Sequence, residues 1–473
     1  MHICIICLHV WIIEIVFFMM SPQDKSRRKS MLKIKTYKTL IIFLVAAMML
    51  LSGCGAVRFA EDINAYKDEF MDLTKCDSVS VVTLDHGELE FYGDEDALYQ
   101  IGSMTKAFTG LAVMKLINEG KVAHDGNVSN YLEGFKAYYN GKPVEITIDE
   151  LLSQTSGYTN NEIDYPSAEM SMSLSDWVNS ISGKELSSAP GEKYAYSNVN
   201  FNLLGAVIES VTGSSYKSYM EEEILKPLSL ENTYVGIPDR GYVEEGARLG
   251  YRKAFTYEIR VREGAIPAGY FYSCTKDMGR WLKIWTKGED VPAEFLPLIE
   301  EVKRNLKDTG DYFCGWESFG EDTLGHSGGT PNYSSRMVFS KDKEIGVCVL
   351  TDMNVAASTD SFCNSIYGKL NGDDLKPIST DVWTVFDTVF TILTVLLSGL
   401  LIASISFKKT ALIVWDIAAA VLLILLIVLM PMILGAGMKE ILKVWAPYSM
   451  SGAMAMLIVD ILFMSIRLCK KKA

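Results

Sequence analysis

The stretch 98–110 reads LYQIGSMTKAFTG and contains a serine and a lysine three positions apart. An apolar segment leads into Gly102, and residues with helical spacing follow Ser103. On a helix, the side chains of Ser103 and Lys106 share one face, about one turn from each other. A hydroxyl in the first turn lies where the helix dipole and the free N–H groups favour negative charge. A partly desolvated Lys106 amine would accept the proton of Ser103, so the pair is predicted to be an activated nucleophile.

The spacing Ser-x-x-Lys is not specific by itself, because six other pairs in the chain have it. Partners elsewhere in the sequence therefore have to identify the working pair. The other six pairs are Ser26 with Lys29, Ser30 with Lys33, Ser214 with Lys217, Ser273 with Lys276, Ser340 with Lys343, and Ser406 with Lys409.

Charged residues are unevenly distributed along the 473 residues. The two ends are apolar and basic, whereas 61–380 holds 29 basic and 51 acidic side chains, a net charge of −22 against −13 for the whole chain. This negative field argues against nucleic acid as a partner and against docking of the middle region on an anionic membrane. We interpret it as a solvated acidic surface that indicates no particular substrate.

Of the nine cysteines, Cys4, Cys7, Cys54 and Cys469 lie in or beside apolar segments. The other five include no Cys-x-x-Cys and have no histidine pair close to them, so neither a metal site nor a dense disulfide framework is predicted. No cofactor is predicted either. Five cysteines lie outside the apolar ends, and a single disulfide among them stays open as an alternative. These five are Cys76, Cys274, Cys314, Cys348 and Cys363.

The amino end contains two successive apolar segments. The second begins after Met31 with a basic stretch, continues with an apolar stretch, and ends at 51–54 in LSGC, which resembles a bacterial lipobox. This layout predicts a lipoprotein-type signal peptide over 31–54, with cleavage before Cys54 and a lipid on its sulfur. An uncleaved signal anchor is the alternative. If translation starts at Met31, residues 1–30 are a non-native extension.

The acidic middle has strand patterns at both of its ends. Residues 78–93 alternate around Asp85-His86-Gly87, which predicts a β-hairpin. Alternation returns at 312–319, 335–339 and 345–350, and the turn-like 340–344 joins the last two. A sheet built from both ends, with an all-α insert between them, predicts an α/β sandwich over 61–376 with a cleft at the seam. The predicted helices are 103–119, 174–181 capped by Ser175, 199–211, 216–225, 276–287 and 359–370.

A tyrosine and an asparagine two positions apart are the first candidate partners of Ser103. The stretch 190–205 reads PGEKYAYSNVNFNLLG, which places Tyr196 and Asn198 between a Pro-Gly turn and an amphipathic helix. The phenol can relay a proton, and the carboxamide can bind a substrate amide or orient Lys106. Tyr-x-Asn also occurs at Tyr138 with Asn140 and at Tyr158 with Asn160.

A His-Ser-Gly sequence just before the last strand pair is the second candidate partner. His326 and Gly328 lie in the segment LGHSGGT at 324–330, which is predicted to be a strand edge beside the nucleophile. Glycines there let a substrate backbone lie close and pair as an added strand. The N–H groups of Ser103 and Gly329 are then expected to form an oxyanion hole. A solvent-exposed loop histidine is the alternative for His326, and His124-Asp125-Gly126 matches the same short pattern.

The three motifs, in this order, resemble those of the serine β-lactamase and penicillin-binding protein superfamily. The most similar branch is the class C β-lactamase-like family, which includes D-Ala-D-Ala carboxypeptidases and esterases. The resemblance covers roughly 78–370, and four longer stretches strengthen it. They are ITIDELLSQTSGY (146–158), PGEKYAYSNVNFNLLGAVIESVTGSSY (190–216), LKPLSLENT (225–233) and PAGYFYSCTKDMGRWL (267–282).

The resemblance implies a serine hydrolase that works through an acyl-enzyme. Ser103 attacks an acyl carbonyl, Lys106 and Tyr196 transfer the proton, and water or an amine then releases the acyl group. β-Lactams are expected to acylate the same serine.

The histidine of the third motif bears on the substrate. His326 stands where many β-lactamases carry a lysine, and this favours cell-wall D-Ala peptides or related small amides and esters. A protonated histidine can anchor a substrate carboxylate, but less reliably at neutral pH than lysine. A β-lactamase is one alternative. A non-catalytic penicillin-binding sensor or scaffold is the other.

Three apolar segments, together spanning 382–467, follow the predicted catalytic domain and are each long enough to cross a bilayer. The basic residues after the first and third segments predict that these ends are cytoplasmic. The catalytic domain is then outside a bacterial cell membrane. Asp416 and Asp460, inside the second and third segments, are expected to pair with Lys408, Lys409 or Arg467 near the interface.

Overall fold

The structure is a computed structural model, and the residues that it describes fall within one compact unit, Val57–Ala473. The predicted extension 1–30, the predicted signal peptide 31–54 and its Cys54 lie outside the described residues. The described residues are 62–159, 172–259, 261, 263–288, 291–309, 312–320 and 322–470.

A seven-stranded antiparallel sheet joins the two ends of the catalytic domain, as predicted. Its strand order is β10-β11-β12-β13-β14-β1-β2, and β1 pairs with β14. The strands are β1 (Val79–Asp85), β2 (Glu88–Tyr92), β3 (Tyr99–Gln100), β4 (Ala137–Tyr139), β5 (Lys142–Val144), β6 (Tyr234–Val235), β7 (Ala247–Gly250), β8 (Lys253–Thr256), β9 (Phe271–Ser273), β10 (Tyr312–Phe313), β11 (Trp316–Ser318), β12 (Thr323–Thr330), β13 (Tyr333–Ser340) and β14 (Ile345–Thr351).

Helices fill the middle of the domain, flank the sheet and form the carboxyl end. They are α1 (Ile63–Thr74), α2 (Thr105–Asn118), α3 (Val128–Tyr131), α4 (Ile148–Leu152), α5 (Leu174–Ile181), α6 (Asn198–Thr212), α7 (Tyr216–Met220), α8 (Ile266–Gly269), α9 (Thr275–Thr286), α10 (Leu296–Thr309), α11 (Ala356–Leu370), α12 (Val382–Ser404), α13 (Lys409–Leu434), α14 (Met438–Glu440) and α15 (Tyr448–Lys470).

The central strands are buried along their whole length because both faces of the sheet are covered. Successive side chains of a strand point to opposite faces, so β14 contributes to two hydrophobic clusters. Val349 packs in a cluster with Phe70 of α1 and Phe362 of α11. Leu350 packs in the larger cluster with Trp281 of α9 and the rest of the helical region.

Two local predictions need correction. The segment predicted as one strand over 312–319 is two short strands, β10 and β11, because the chain turns at Cys314 and Gly315 with φ of 55° and 87°. Helix α5 has its predicted bounds, but its cap is Ser173 and not Ser175. The Ser173 hydroxyl accepts a hydrogen bond from the Asp176 N–H at 3.1 Å, as a residue just outside the helix does.

Three helices at the carboxyl end, α12, α13 and α15, are long and apolar enough to cross a membrane. They pack against one another through clusters that include Phe390 and Leu397 of α12 and Leu457 of α15. Between α13 and α15 lies a segment that we call the connector, residues 435–447. It contains α14 and a π-helical turn, Ile441–Trp445.

The predicted ion pairs of the two intramembrane acids are not formed. Asp416 accepts a hydrogen bond from the Ser465 hydroxyl at 3.0 Å, and neither carboxylate oxygen of Asp460 has a hydrogen-bond partner among the described residues. Asp460 is fully buried inside the bundle, whereas Lys408 and Lys409 are exposed at its end. Helix packing thus directs these acids away from the basic residues near them in sequence.

The disulfide that the sequence left open is not present among the described cysteines. All six of them carry free thiols: Cys76, Cys274, Cys314, Cys348, Cys363 and Cys469.

Candidate active site

Ser103 lies in a short 3₁₀ turn, Gly102–Met104, that leads directly into α2. The prediction placed it in the first turn of a helix that starts at 103. The Ile101 N–H donates to the Phe271 carbonyl of β9 at 3.0 Å, which ties this turn to a neighbouring small sheet. Gly102 has φ of 51°, a conformation that favours glycine.

Lys106, in the first turn of α2, is fully buried, and its amine lies within hydrogen-bond distance of three oxygens. Its Nζ lies 2.9 Å from Ser103 Oγ, 2.7 Å from Asn198 Oδ1 and 2.5 Å from the Ala268 carbonyl oxygen. Burial lowers the pKa of this amine well below its usual range, although the Glu317 carboxylate opposes the shift.

A neutral amine fits these three partners. It has two N–H donors and one lone pair, and the oxygens of Asn198 and Ala268 can only accept. When the amine is neutral, its two N–H groups serve those oxygens, and its lone pair is left for the Ser103 hydroxyl, 2.9 Å away. In that state the Ser103 O–H donates to Lys106, which is the arrangement that a base needs to remove the proton.

Tyr196 and Asn198 reach the same place from the start of α6. Asn198 is the first residue of the helix, and the Ser197 hydroxyl caps it by accepting from the Val199 N–H at 3.3 Å. The half-buried Tyr196 ring has its centroid 5.1 Å from Lys106 Nζ. The structure thus brings the predicted phenol and carboxamide to the predicted amine.

Two further residues hold this cluster, and the sequence reasoning did not assign them a role. The Ala268 carbonyl in α8 binds Lys106, and the buried Gln154 fixes the loop before α6. Gln154 Oε1 accepts from the Ser197 N–H at 3.0 Å and from the Asn200 side chain at 2.5 Å. Both lie in stretches that carried the family resemblance, which was the available signal for them.

His326 is a buried residue of β12 and not a solvent-exposed loop histidine. Its Nδ1 lies 2.6 Å from the Ser327 carbonyl oxygen, which can only accept, so Nδ1 carries the proton. Nε2 then presents its lone pair to the Tyr312 hydroxyl at 3.4 Å. Burial lowers the pKa of His326 to about 3. The ring is therefore neutral at neutral pH and offers no positive charge to a substrate.

The Tyr196, His326 and Tyr312 rings form a single aromatic cluster. The Tyr196 centroid lies 6.0 Å from that of His326 and 6.0 Å from that of Tyr312. Glu317 borders the cluster, with Oε1 4.0 Å from His326 Nε2 and a side chain that is 30% exposed. Its burial raises the pKa of its carboxyl. This cluster thus brings together two phenols, an imidazole and one carboxyl group, and the charge of the buried Arg336 acts on both the imidazole and the carboxyl group.

Gly328 and Gly329 bring strand β12 against the nucleophile turn. A Cβ at Gly102 would lie 2.5 Å from the Gly329 nitrogen, and a Cβ at Gly328 would overlap the Ile101 carbonyl oxygen. The Ser335 hydroxyl, on β13, also donates to the Ile101 carbonyl at 2.8 Å. The residue before Ser103 therefore lies against Gly329, and the N–H groups of Ser103 and Gly329 stay the predicted oxyanion hole.

The competing motifs have other partners. His124 bonds Asp149 at 2.6 Å and Glu301 at 3.1 Å, and the first of these bonds raises its pKa. Lys276, from another Ser-x-x-Lys pair, lies on the surface and bonds Asp96 at 3.1 Å.

A family model described as "Beta-lactamase" matches residues 63–364, well over half of the chain. The chain therefore belongs to the β-lactamase family. Its architecture agrees: an octameric penicillin-binding protein homologue from Pyrococcus abyssi superposes with a TM-score of 0.57 over 69% of this chain and 80% of that chain. The two are 21% identical, so the likeness shows the fold alone.

Two curated relatives extend this comparison. Protein flp of Staphylococcus aureus (strain NCTC 8325 / PS 47) is 33% identical over 268 residues, which are 54% of this chain and 53% of flp. A protein of Escherichia coli K12 named "Putative D-alanyl-D-alanine carboxypeptidase" is 34% identical over 146 residues, 29% of this chain and 33% of that protein. The chain thus spans about half the length of flp and a third of the second relative.

Proposed function

We propose that the protein is a membrane-tethered serine hydrolase that forms an acyl-enzyme at Ser103 and acts on D-alanyl peptides or related small amides and esters. One observation carries this proposal: the amine of the fully buried Lys106 lies 2.9 Å from Ser103 Oγ, and burial lowers the pKa of that amine well below its usual range. A desolvated lysine beside a serine hydroxyl is an arrangement that activates a nucleophile.

The steps follow from the positions of the groups. Lys106 takes the hydroxyl proton while Ser103 Oγ attacks the acyl carbonyl, and the negative oxygen forms against the N–H groups of Ser103 and Gly329. Lys106 returns this proton through Tyr196 to the leaving group, which departs as an amine or alcohol as its bond to the acyl carbon breaks. Water then attacks the acyl-enzyme, giving its proton to the same bases, and Ser103 is regenerated.

The charges of the cleft favour substrates without a carboxylate beside the scissile bond. His326 is neutral and holds a lone pair outwards from its Ser327 contact, while Glu317 adds negative charge 4.0 Å away. A carboxylate placed there meets no cation from these two side chains. Placing an unpaired carboxylate there is unfavourable, and esters and amides with an uncharged leaving group have no carboxylate to place. Penicillins and D-Ala-D-Ala peptides do carry one.

We place the catalytic domain outside the cell. The connector touches the catalytic domain, so both lie at the same end of the membrane helices. The opposite end carries Lys408, Lys409 and Arg467, and basic loops are retained in the cytoplasm. Protease protection of tags at the two ends of α12 in intact cells tests this orientation.

The activity is tested with the full chain purified in detergent. A fluorophosphonate probe and a fluorescent penicillin are expected to label the wild-type protein, and Ser103→Ala is expected to remain unlabelled. Lys106→Ala should slow labelling by about 10²- to 10⁴-fold, the range of a general base. If the folded wild-type protein takes neither probe, the hydrolase proposal is wrong and a non-catalytic sensor or scaffold replaces it.

A substrate panel then separates the activities. Short-chain esters and D-alanine amides are expected to turn over faster than a D-Ala-D-Ala peptide or a chromogenic cephalosporin. Rapid hydrolysis of the cephalosporin would instead identify a β-lactamase, and it would show that the neutral His326 does not limit carboxylate-bearing substrates.

A further inference from the structure

The β7–β8 hairpin is docked on the connector of the membrane helices, and Arg248 is the centre of this contact. The Arg248 side chain is 4% exposed and donates to three carbonyl oxygens of the connector. The distances are 2.7 Å to Leu442, 3.0 Å to Lys443 and 2.5 Å to Ala446. These carbonyls lie at the end of a helical turn, where backbone oxygens lack partners within the helix. The Arg248 guanidinium therefore supplies hydrogen-bond donors to three carbonyl oxygens at the end of this turn.

A second contact joins the tip of the hairpin to two membrane helices. The Arg252 N–H donates to one carboxylate oxygen of Asp387 on α12 at 2.7 Å. The Ser449 hydroxyl of α15 donates to the other oxygen at 2.7 Å. Asp387 is fully buried, and both of its oxygens are used. The acid thus binds hairpin, α12 and α15 together.

The hairpin turn has a backbone conformation that its sequence does not favour. Tyr251 and Arg252 both have positive φ, 51° and 62°, in a two-residue turn where asparagine and glycine are usual. Bulky residues adopt this conformation only where the surroundings hold it. Here the Arg252 N–H bonds Asp387, so docking on the helices supports the turn.

Tyr257, just after the hairpin, links the connector to the active site. Its hydroxyl donates to the Lys443 carbonyl at 2.7 Å, and its own carbonyl accepts from the Asn332 side chain at 2.8 Å. The Thr330 hydroxyl donates to Asn332 Oδ1 at 3.2 Å. Thr330 follows Gly329, whose N–H belongs to the proposed oxyanion hole. The connector is therefore linked to Thr330, at the end of β12, through the side chain and carbonyl of Tyr257 and the side chain of Asn332.

We propose that the connector is a positioning element of the active site, and that Tyr257 and Asn332 transmit its position to the Gly329 N–H. This inference rests on the proposed acyl transfer at Ser103. The membrane helices then do more than hold the enzyme at a surface: they fix one side of the oxyanion hole. Tyr257 acts through Asn332 and does not itself touch the reacting atoms.

Tyr257→Phe tests the link with minimal change to the fold. It removes the donor to Lys443 but keeps the ring beside Arg248, 5.2 Å from the guanidinium, and keeps the backbone carbonyl that binds Asn332. Tyr242→Phe is the matched control, because Tyr242 is 63% exposed and its hydroxyl bonds the nearby Glu244 carboxylate at 3.4 Å. Both variants are made in the full chain and reconstituted in lipid nanodiscs.

Single-turnover acylation by an activated ester separates binding from chemistry. Loss of an oxyanion donor costs about 10²- to 10³-fold, so a displaced donor in Tyr257→Phe should slow acylation about 3- to 30-fold. The dissociation constant of the ester should not change, and a boronate that mimics the tetrahedral intermediate should bind weaker by a similar factor. Arg248→Lys cannot satisfy three divergent carbonyls and should show at least the same loss.

Three results are informative. If the wild-type protein does not acylate, the proposed function fails before this inference is tested. If the wild-type protein acylates and both Tyr257→Phe and Arg248→Lys match its rate, the inference alone is wrong. It is also wrong if these variants lose ester binding and thermal stability while the rate of the bound complex is unchanged, because that pattern indicates a purely structural contact.

Discussion

Replacing Gly328 by alanine should separate the nucleophile turn from strand β12 without removing any catalytic group. The added Cβ would overlap the Ile101 carbonyl oxygen and the Ser335 hydroxyl, and it would lie 2.9 Å from the Ile101 carbonyl carbon. Ordinary carbon contacts are about 3.5–4.0 Å, so the gap to this carbon alone has to widen by about 0.6–1.1 Å, and the closer carbonyl oxygen requires at least as large a shift. The backbone on both sides is held by hydrogen bonds, and neither side can rotate away.

This displacement acts on the two N–H groups of the proposed oxyanion hole. A misplacement of about 1 Å can cost about 10²-fold in rate, so we expect acylation by an ester to fall about 100-fold, or about 2.7 kcal/mol. Overpacking should also lower the free energy of unfolding by about 1–3 kcal/mol. The assay is stopped-flow acylation of Ser103, with thermal unfolding measured on the same sample.

Gly325→Ala is the matched control on the same strand. Its Cβ would crowd the Met337 carbonyl oxygen and approach the Val338 Cα to 3.3 Å, but it would not touch the nucleophile turn. It should cost a similar amount of stability and much less activity. The reasoning is refuted if folded Gly328→Ala acylates at the wild-type rate, or if Gly325→Ala loses as much of the rate.

Three further predictions concern charge and packing. Lys106 acts as a base only when neutral, so kcat/KM should fall as the pH drops through the lowered pKa of its amine. The Glu317 charge raises that pKa, so in Glu317→Gln the fall of kcat/KM should occur at lower pH. In the Glu317→Gln variant, we compare the rate for a carboxylate-bearing ester with the rate for a neutral ester. The ratio of the first rate to the second should stay constant from about pH 5 to 8, because His326, with a pKa of about 3, does not gain a proton in that range. An increase of this ratio at low pH would contradict the prediction. Phe362 contacts the Tyr66 and Phe70 rings at 4.9 and 4.7 Å, so Phe362→Ala should lower the free energy of unfolding by about 3–5 kcal/mol in denaturant titrations while leaving the acylation rate of the folded enzyme unchanged.

The parts of the site that the sequence predicted are those set by local spacing. Ser103 and Lys106 are three residues apart at a helix start, so their proximity follows from helical geometry alone. Asn198 was found because a turn and a strong helix flank it. The hairpin at 78–93 was likewise predicted from alternation around a tight turn, and the structure has β1 and β2 there.

The parts that were missed depend on packing between distant segments. The Ala268 partner of Lys106 is a backbone carbonyl, and a carbonyl has no residue-specific pattern. The burial of His326 depends on Tyr312, which β10 brings to it, and the break between β10 and β11 depends on Cys314 adopting φ of 55°. Asp460 is likewise buried because it lies on the face of α15 that packs inside the helix bundle.

The chemistry of the cleft links base strength to substrate choice. A permanent cation in place of His326 would help to keep Lys106 neutral by repulsion, and it would also anchor a substrate carboxylate. In this chain burial alone lowers the pKa of Lys106, so a neutral histidine does not change how readily Lys106 becomes neutral. The neutral histidine does, however, leave a substrate carboxylate without a positive charge to bind at this position. Glu317 acts in the opposite sense, since its charge opposes the lowering of the Lys106 pKa. A charge that raises this pKa keeps more of the Lys106 amine protonated and leaves less of it available as a base. Under the proposed function, the position of Glu317 beside His326 favours substrates that are neutral or carry an amine near the scissile bond.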